Sequence, residues 1–256
     1  TPILDTNDTH SQIFPIAADK GRWAGFGGYA KRAYLIDGIR AEGRGVLLFD
    51  SGDFSQGTPY FNFFKGNIEV DAMGLMGYDA VTLGNHEFDN GVEELARRVD
   101  RAEFPVLSAN YDFSGSAMEG KTLPFKLFDV KGVKVGAFGL TINTRGMVDA
   151  ANARGAVYKD PVACAQWAAD TLRALGADVV VALTHLGEHS TPFYIGDDSL
   201  AAKTSGIDLI LGGHSHTDGI STVRNKEGGE VTIVQQASQG RLLGRVDITV
   251  KKKKKE

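Results

Sequence analysis

The chain has 256 residues, 42% apolar and 23% charged, with a formal net charge of −4. These values suit a globular chain with a sizeable core, and no apolar run is long enough to cross a bilayer. The closing "KKKKKE" carries +4, which leaves −8 on the body and argues against a nucleic-acid-binding surface.

The first predicted strand is the apolar start of "ILDTNDTHSQ", which presents Asp5, Asn7, Asp8 and His10 within six residues. In an extended segment residues two apart point the same way, so Asp8 and His10 grip one ion together and Asp5 faces the other side. "GGYAKRAYLIDGIRAEG" reads as a helix. The "GFGGYA" at its start lacks both the preceding strand and the spacing of a dinucleotide loop, and reads as a helix start. "GVLLFDSGD" is a buried strand running into Asp50 and Asp53, and "NIEVDAMGLMGY" is a helix. "PYFNFFKG", just before it, reads as aromatic core or interface, with base stacking at a site mouth as the alternative.

"YDAVTLGNHE" ends on Asn85 and His86, and the helical "GVEELARRVDRAE" follows. "KLFDVKGVKVGAFGLT" reads as a hairpin around Lys131-Gly132. "PVACAQWAADTLRALG" opens with Pro161 in a helical first turn and carries the single cysteine, Cys164, as a small buried apolar residue. "ADVVVALTHLG" runs into His185, and "GIDLILGGHSH" into His214 and His216. "EVTIVQQAS" and "GRLLGRVDITV" read as further strands. Strands alternating with helices imply an α/β architecture with mixed sheets and polar loops gathered at one sheet edge. No repeat or Pro/Ser-rich linker divides the chain, so residues 1–250 are expected to form one domain and 251–256 a flexible basic end.

Five of the six histidines lie at predicted strand ends, beside Asp8, Asp53 and Asn85. Asp8, His10, Asp53, Asn85, His185, His214 and His216 make seven candidate ligands. A catalytic metal takes about three protein ligands, so seven fit two ions that share a carboxylate. Two ions about 3.5–4 Å apart can clamp both oxygens of a phosphoryl displacement. Imidazole, carboxylate and amide together suit Zn, Mn, Fe, Co or Ni.

In order and spacing, "DTH", "GDFSQG", "GNHEFD", "THLG" and "GGHSH" resemble the calcineurin-like metallophosphoesterases. "GGYAK", "LSANY" and "IDLILGGHSHT" are most similar to the catalytic domain of the 5′-nucleotidase branch, over about Ile3 to Val250. The resemblance implies a four-layer α/β/β/α sandwich with mixed sheets and two divalent metal ions. It implies that Asp8, His10 and His216 hold one ion, that Asn85, His185 and His214 hold the other, and that Asp53 bridges them. It further implies that His86 faces the leaving group, oriented by Asp89, and that Asn85 and His86 contact the phosphate. A metal-bound hydroxide would then attack phosphorus in line. This chain departs from its relatives at Asp5, where they often carry His, but the roles above fill both ions without it, so Asp5 is expected to be a neighbour of the site.

The expected activity is hydrolysis of nucleoside 5′-monophosphates. The alternatives are 2′,3′-cyclic nucleotide phosphodiesterase or broad phosphomonoesterase activity, and a non-catalytic binding domain. A capping role for Asp89 at the following helix is the structural alternative to its catalytic one. His189 is expected to be solvated, and Asp50 to support the site from behind. The family pattern also implies a C-terminal nucleotide-specificity domain, separate or missing here. Relatives are commonly exported, so a periplasmic or extracellular location is expected, with no nucleic-acid partner.

Overall fold

Central strands that are buried on both faces account for the layering of this chain. The computed structural model describes residues 1–251, so the expected basic tail, beyond Lys251, lies outside the described residues.

In chain order the elements are β1 (Pro2–Thr6), α1 (Tyr29–Arg40), β2 (Leu47–Asp50), α2 (Pro59–Phe64), α3 (Asn67–Met76), β3 (Ala80–Thr82), α4 (Val92–Arg101), β4 (Val106–Leu107), β5 (Tyr111–Asp112), β6 (Phe125–Val130), β7 (Val133–Thr141), β8 (Val157–Tyr158), α5 (Pro161–Ala174), β9 (Val179–His185), α6 (Asp197–Lys203), β10 (Leu209–Leu211), β11 (Asp218–Arg224), β12 (Glu230–Gln236) and β13 (Gly244–Asp247). The first sheet has the order β13-β1-β2-β3-β4, parallel except for β13 against β1. The second has the order β11-β12-β10-β9-β7-β6, parallel in its centre with antiparallel edges. β5 and β8 form a small separate ribbon.

Successive residues of the central strands point to opposite faces. Leu4, Leu48 and Val81 pack under α1, α3 and α4 with Ile36, Met73 and Leu95. Ile3, Leu47 and Phe49 turn the other way and meet Val181, Leu183 and Leu211 of the second sheet. On the far face of that sheet, Val180, Ala182 and Ile210 pack against Ala168, Leu172 and Leu200 of α5 and α6. The result is the expected α/β/β/α sandwich. The strands are buried on both faces, which is why they read as continuous apolar runs.

Several elements differ from the sequence reading. α2, α6 and β11 were not expected, and "GRLLGRVDITV" contributes only Gly244–Asp247 as strand. The first long helix begins at Tyr29, after Gly27 and Gly28 in left-handed conformations. A Cβ at Gly28 would meet Pro15, so "GFGGYA" is a helix entry and not a phosphate cradle. Cys164 is half-buried on α5, with its thiol pKa raised by burial.

Candidate metal centre

The parallel strands of both sheets deliver their loops to one end of the sandwich. β1 leads to Asp8 and His10, β2 to Asp53, and β3 to Asn85 and His86. β9 ends on His185, and β10 leads to His214 and His216.

Asp8 and His10 do converge, but not by strand alternation. β1 stops at Thr6, and Asp8 (φ 48°) and His10 (φ 47°) are both left-handed. The loop is pinned to the one after β2: Asp8 N–H donates to Gly52 O (2.9 Å), and His10 N–H to Asp53 O (3.0 Å). Asp53, His214 and His216 also have positive φ. Such conformations cost of order 1–3 kcal/mol each for non-glycine residues and persist where surrounding structure imposes them, commonly at functional sites.

Two triads result. In Asp8, His10 and His216, and again in Asp53, His185 and His214, one candidate ligand atom per residue lies within 4.8 Å of the others. Asp8 Oδ1 is fully buried and accepts no hydrogen bond. Three imidazole nitrogens surround it: His216 Nε2 at 3.2 Å, His10 Nε2 at 3.8 Å and His185 Nε2 at 3.9 Å. His10 Nε2 and His216 Nε2 are themselves 3.0 Å apart. An acceptor without a donor, ringed by nitrogens that converge on one space, fits a cation. The donor set of imidazoles and carboxylates fits a borderline divalent metal.

Asp53 belongs to the second triad. Its Oδ2 lies 3.0 Å from His185 Nε2, and its Oδ1 accepts from His86 N–H at 2.8 Å. Asn85 Oδ1 is 3.0 Å from His214 Nδ1, which brings Asn85 to the second triad. His185 Nδ1 donates to Ser51 O (2.8 Å), so its Nε2 faces Asp53. His86 Nδ1 is 2.7 Å from Asp89 Oδ2, and its ring stands 5.5 Å from that of His10. The N-cap of α4 is Gly91, so Asp89 does not cap that helix, and its carboxylate meets His86 instead.

The electrostatics follow from burial against charge. Burial lowers the His185 pKa, but Asp53 and Asp8 outweigh it and raise it to about 10. Burial raises that of Asp53, and His185, His10 and His86 reverse this, holding it well below the usual carboxylate range. Burial and the neighbouring His185 charge lower His214 to about 4. At His86 burial acts downward, and the Asp89 hydrogen bond and Asp53 charge prevail to raise the pKa.

His189 lies apart, exposed, against Asp198 and Glu188. Asp5 belongs to neither triad: it is buried at the β1–β13 pairing, with its pKa raised by burial to about 7. Asp50 accepts from Thr6 Oγ1 (2.5 Å) and Gly52 N–H (2.9 Å), and so shapes the turn that leads to Asp53.

Sequence reasoning missed three supports. Asn7 donates from Nδ2 to Asp8 Oδ2 (2.6 Å) and to Ala237 O (2.9 Å). Gln239 N–H donates to Asp8 O (2.6 Å). Buried Glu87 accepts from Asp53 N–H (2.8 Å), Gly84 N–H (2.7 Å) and Ser55 Oγ (2.9 Å), tying the second and third loops together. Glu87 was in view inside "GNHEFD", where its burial was the missing signal.

Known proteins resemble this chain over most of its length. Residues 1–218 match the family described as calcineurin-like phosphoesterase. A snake venom 5′-nucleotidase from Crotalus adamanteus is 36% identical over 96% of this chain, which spans 44% of that protein. A trifunctional nucleotide phosphoesterase from Bacillus subtilis is 34% identical over 98% of this chain and 18% of its own length. The crystal structure of a 5′-nucleotidase precursor from Thermus thermophilus superposes with a TM-score of 0.86 at 35% identity, over 95% of this chain and 50% of that one. The chain thus spans half or less of the length of each of these relatives.

Proposed function

The chain belongs to the calcineurin-like phosphoesterase family, and we propose that it is a two-metal phosphomonoesterase acting on nucleoside 5′-monophosphates. The observation that carries this reading is the pair of triads, which approach each other where His185 Nε2 lies 3.9 Å from Asp8 Oδ1, with Asn85 and the His86–Asp89 pair at their edge. Asp8, His10 and His216 would hold one ion and Asn85, His185 and His214 the other, with Asp53 shared between them. Two divalent ions bound there would lower the pKa of a water and offset phosphate charge.

The chain's own residues would do the rest. The Asn85 amide and His86 would contact the phosphate, where donors stabilise the charge that develops. His86, kept protonated by Asp89, would give its proton to the departing ester oxygen. Asn7, Glu87 and Ser51 O would hold Asp8, Asp53 and His185 in orientation. The reading treats residues 1–250 as one catalytic unit, which the apolar interface between the two sheets supports.

The name of the Bacillus relative, a nucleotide phosphoesterase with three functions, supports a second reading in which 2′,3′-cyclic nucleotides are also hydrolysed. The greater length of the relatives supports a C-terminal specificity domain as partner. No helix among the described residues is long and apolar enough to cross a membrane. One relative is a venom protein and another a precursor by description, which supports a periplasmic or extracellular enzyme.

The test is turnover of AMP, 2′,3′-cyclic AMP and 4-nitrophenyl phosphate with Mn²⁺ supplied and Asp53→Asn as control. AMP should turn over fastest. Equal rates on all three would refute the nucleotide assignment, and activity no greater than that of Asp53→Asn would refute the enzyme.

A further inference from the structure

Away from the metal loops, a cavity of about 690 Å³ opens between the Ala24–Gly28 loop, α1 and the Gly240–Leu243 segment. Its wall is mainly apolar, with Leu35, Ile39 and Leu243, and three cations line it: Lys31, Arg32 and Arg241. Arg32 is only 4% exposed, and no carboxylate pairs with its guanidinium among the described residues. Nη1 reaches Tyr78 Oη at 3.3 Å, the Tyr29 ring lies 4.9 Å away, and Nη2 has no acceptor. The Asp50 carboxyl acts on Arg32 electrostatically but spends its oxygens on Thr6 and Gly52.

A buried charge costs several kcal/mol unless it is paired, and an aromatic face with one hydroxyl offsets only part of that. Arg241 is partly buried and adds a second guanidinium: its Nη2 donates to Gln239 Oε1, its Nε is buried without an acceptor, and it lies 5.3 Å from the Trp23 ring. Gly240 has φ +60°, and a Cβ there would fall 2.3 Å from Arg32 Nη2, so glycine keeps the guanidinium in place.

We propose that this cavity binds a small amphipathic anion, a carboxylate on an apolar body. The volume lies in the range of small-molecule sites. The planar guanidinium matches a carboxylate, and the leucine and isoleucine wall takes the body. The inference is independent of the phosphoesterase reading. Occupancy would be felt at the metal loops, because Gln239 precedes the cavity wall and donates to Asp8 O, and Tyr78 joins Arg32 to Thr6 (2.9 Å).

The test is amide NMR of the protein titrated with decanoate below its micelle concentration, with decanol and decyltrimethylammonium in parallel. Decanoate should give saturable shifts at residues 24–28 and 240–243. Decanol, which keeps the tail without the charge, should bind about tenfold more weakly or worse, and the cation should not bind there. Leu35→Asp, at the cavity rim, should abolish the shifts and leave the rest of the spectrum unchanged. No saturable shift, equal binding of decanol, or unchanged binding by Leu35→Asp would overturn the proposal.

Discussion

Replacing Asp89 by asparagine separates the proposed proton donation from metal binding, because neither Asp89 nor His86 belongs to a triad. The Asp89 Oδ2–His86 Nδ1 contact is 2.7 Å, and a hydrogen bond to a charged group contributes about 1.5–3 kcal/mol. Both side chains are partly solvated, at 31% and 27% exposure, so screening favours the lower half of that range. About 1.5–2 kcal/mol corresponds to roughly 10–30-fold in rate. The loss should depend on the leaving group. The leaving group of AMP is the adenosine 5′-alkoxide, which needs the His86 proton, whereas 4-nitrophenolate leaves without it. The expected result for Asp89→Asn is a roughly 10–30-fold lower kcat/KM on AMP, a change under about threefold on 4-nitrophenyl phosphate, and unaltered metal content by elemental analysis. Equal losses on both substrates, or lost metal, would instead make Asp89 a structural residue.

Three further outcomes follow from the packing. A Cβ at Gly84 would fall 2.1 Å from Asp53 Oδ1, so Gly84→Ala should displace that carboxylate and lower AMP hydrolysis at least about 100-fold with unchanged far-UV circular dichroism. Asn7→Ala removes the donor that orients Asp8, and a metal titration should register about 10–100-fold weaker affinity. Burial pushes the Asp5 carboxyl up from its ordinary 3.8 to about 7, so between those values the native state holds a proton that the unfolded state has lost. Stability should therefore fall as pH rises from about 4 to 7, by up to about 1.4 kcal/mol per unit. Urea denaturation across that window should find the slope reduced in Asp5→Asn, and an identical slope would contradict the assignment.

The sequence carried much of this site because the chemistry sits where apolar strands end. Doubly buried strands write continuous apolar runs, and the polar residues after them stand out. The geometry that unites them was less legible. Asp8 and His10 were expected to align along an extended strand, and they converge instead through left-handed turns held by the loop after β2. That contact joins residues more than 40 positions apart and has no local signature. Glu87 and Asn7 act through buried hydrogen bonds to distant backbone, so their types alone did not mark them. β11 is exposed along most of its length and lacks the apolar run that announced its neighbours, and α6 is too short to set a helical period.

In the proposed centre seven residues would hold two ions around one shared carboxylate. Anomalous diffraction from crystals grown with Mn²⁺ tests it most directly. Two peaks per chain are expected, one against Asp8, His10 and His216 and one against Asn85, His185 and His214, with Asp53 touching both. A single peak, or ions held by Asp5 or His189 in place of these residues, would contradict it.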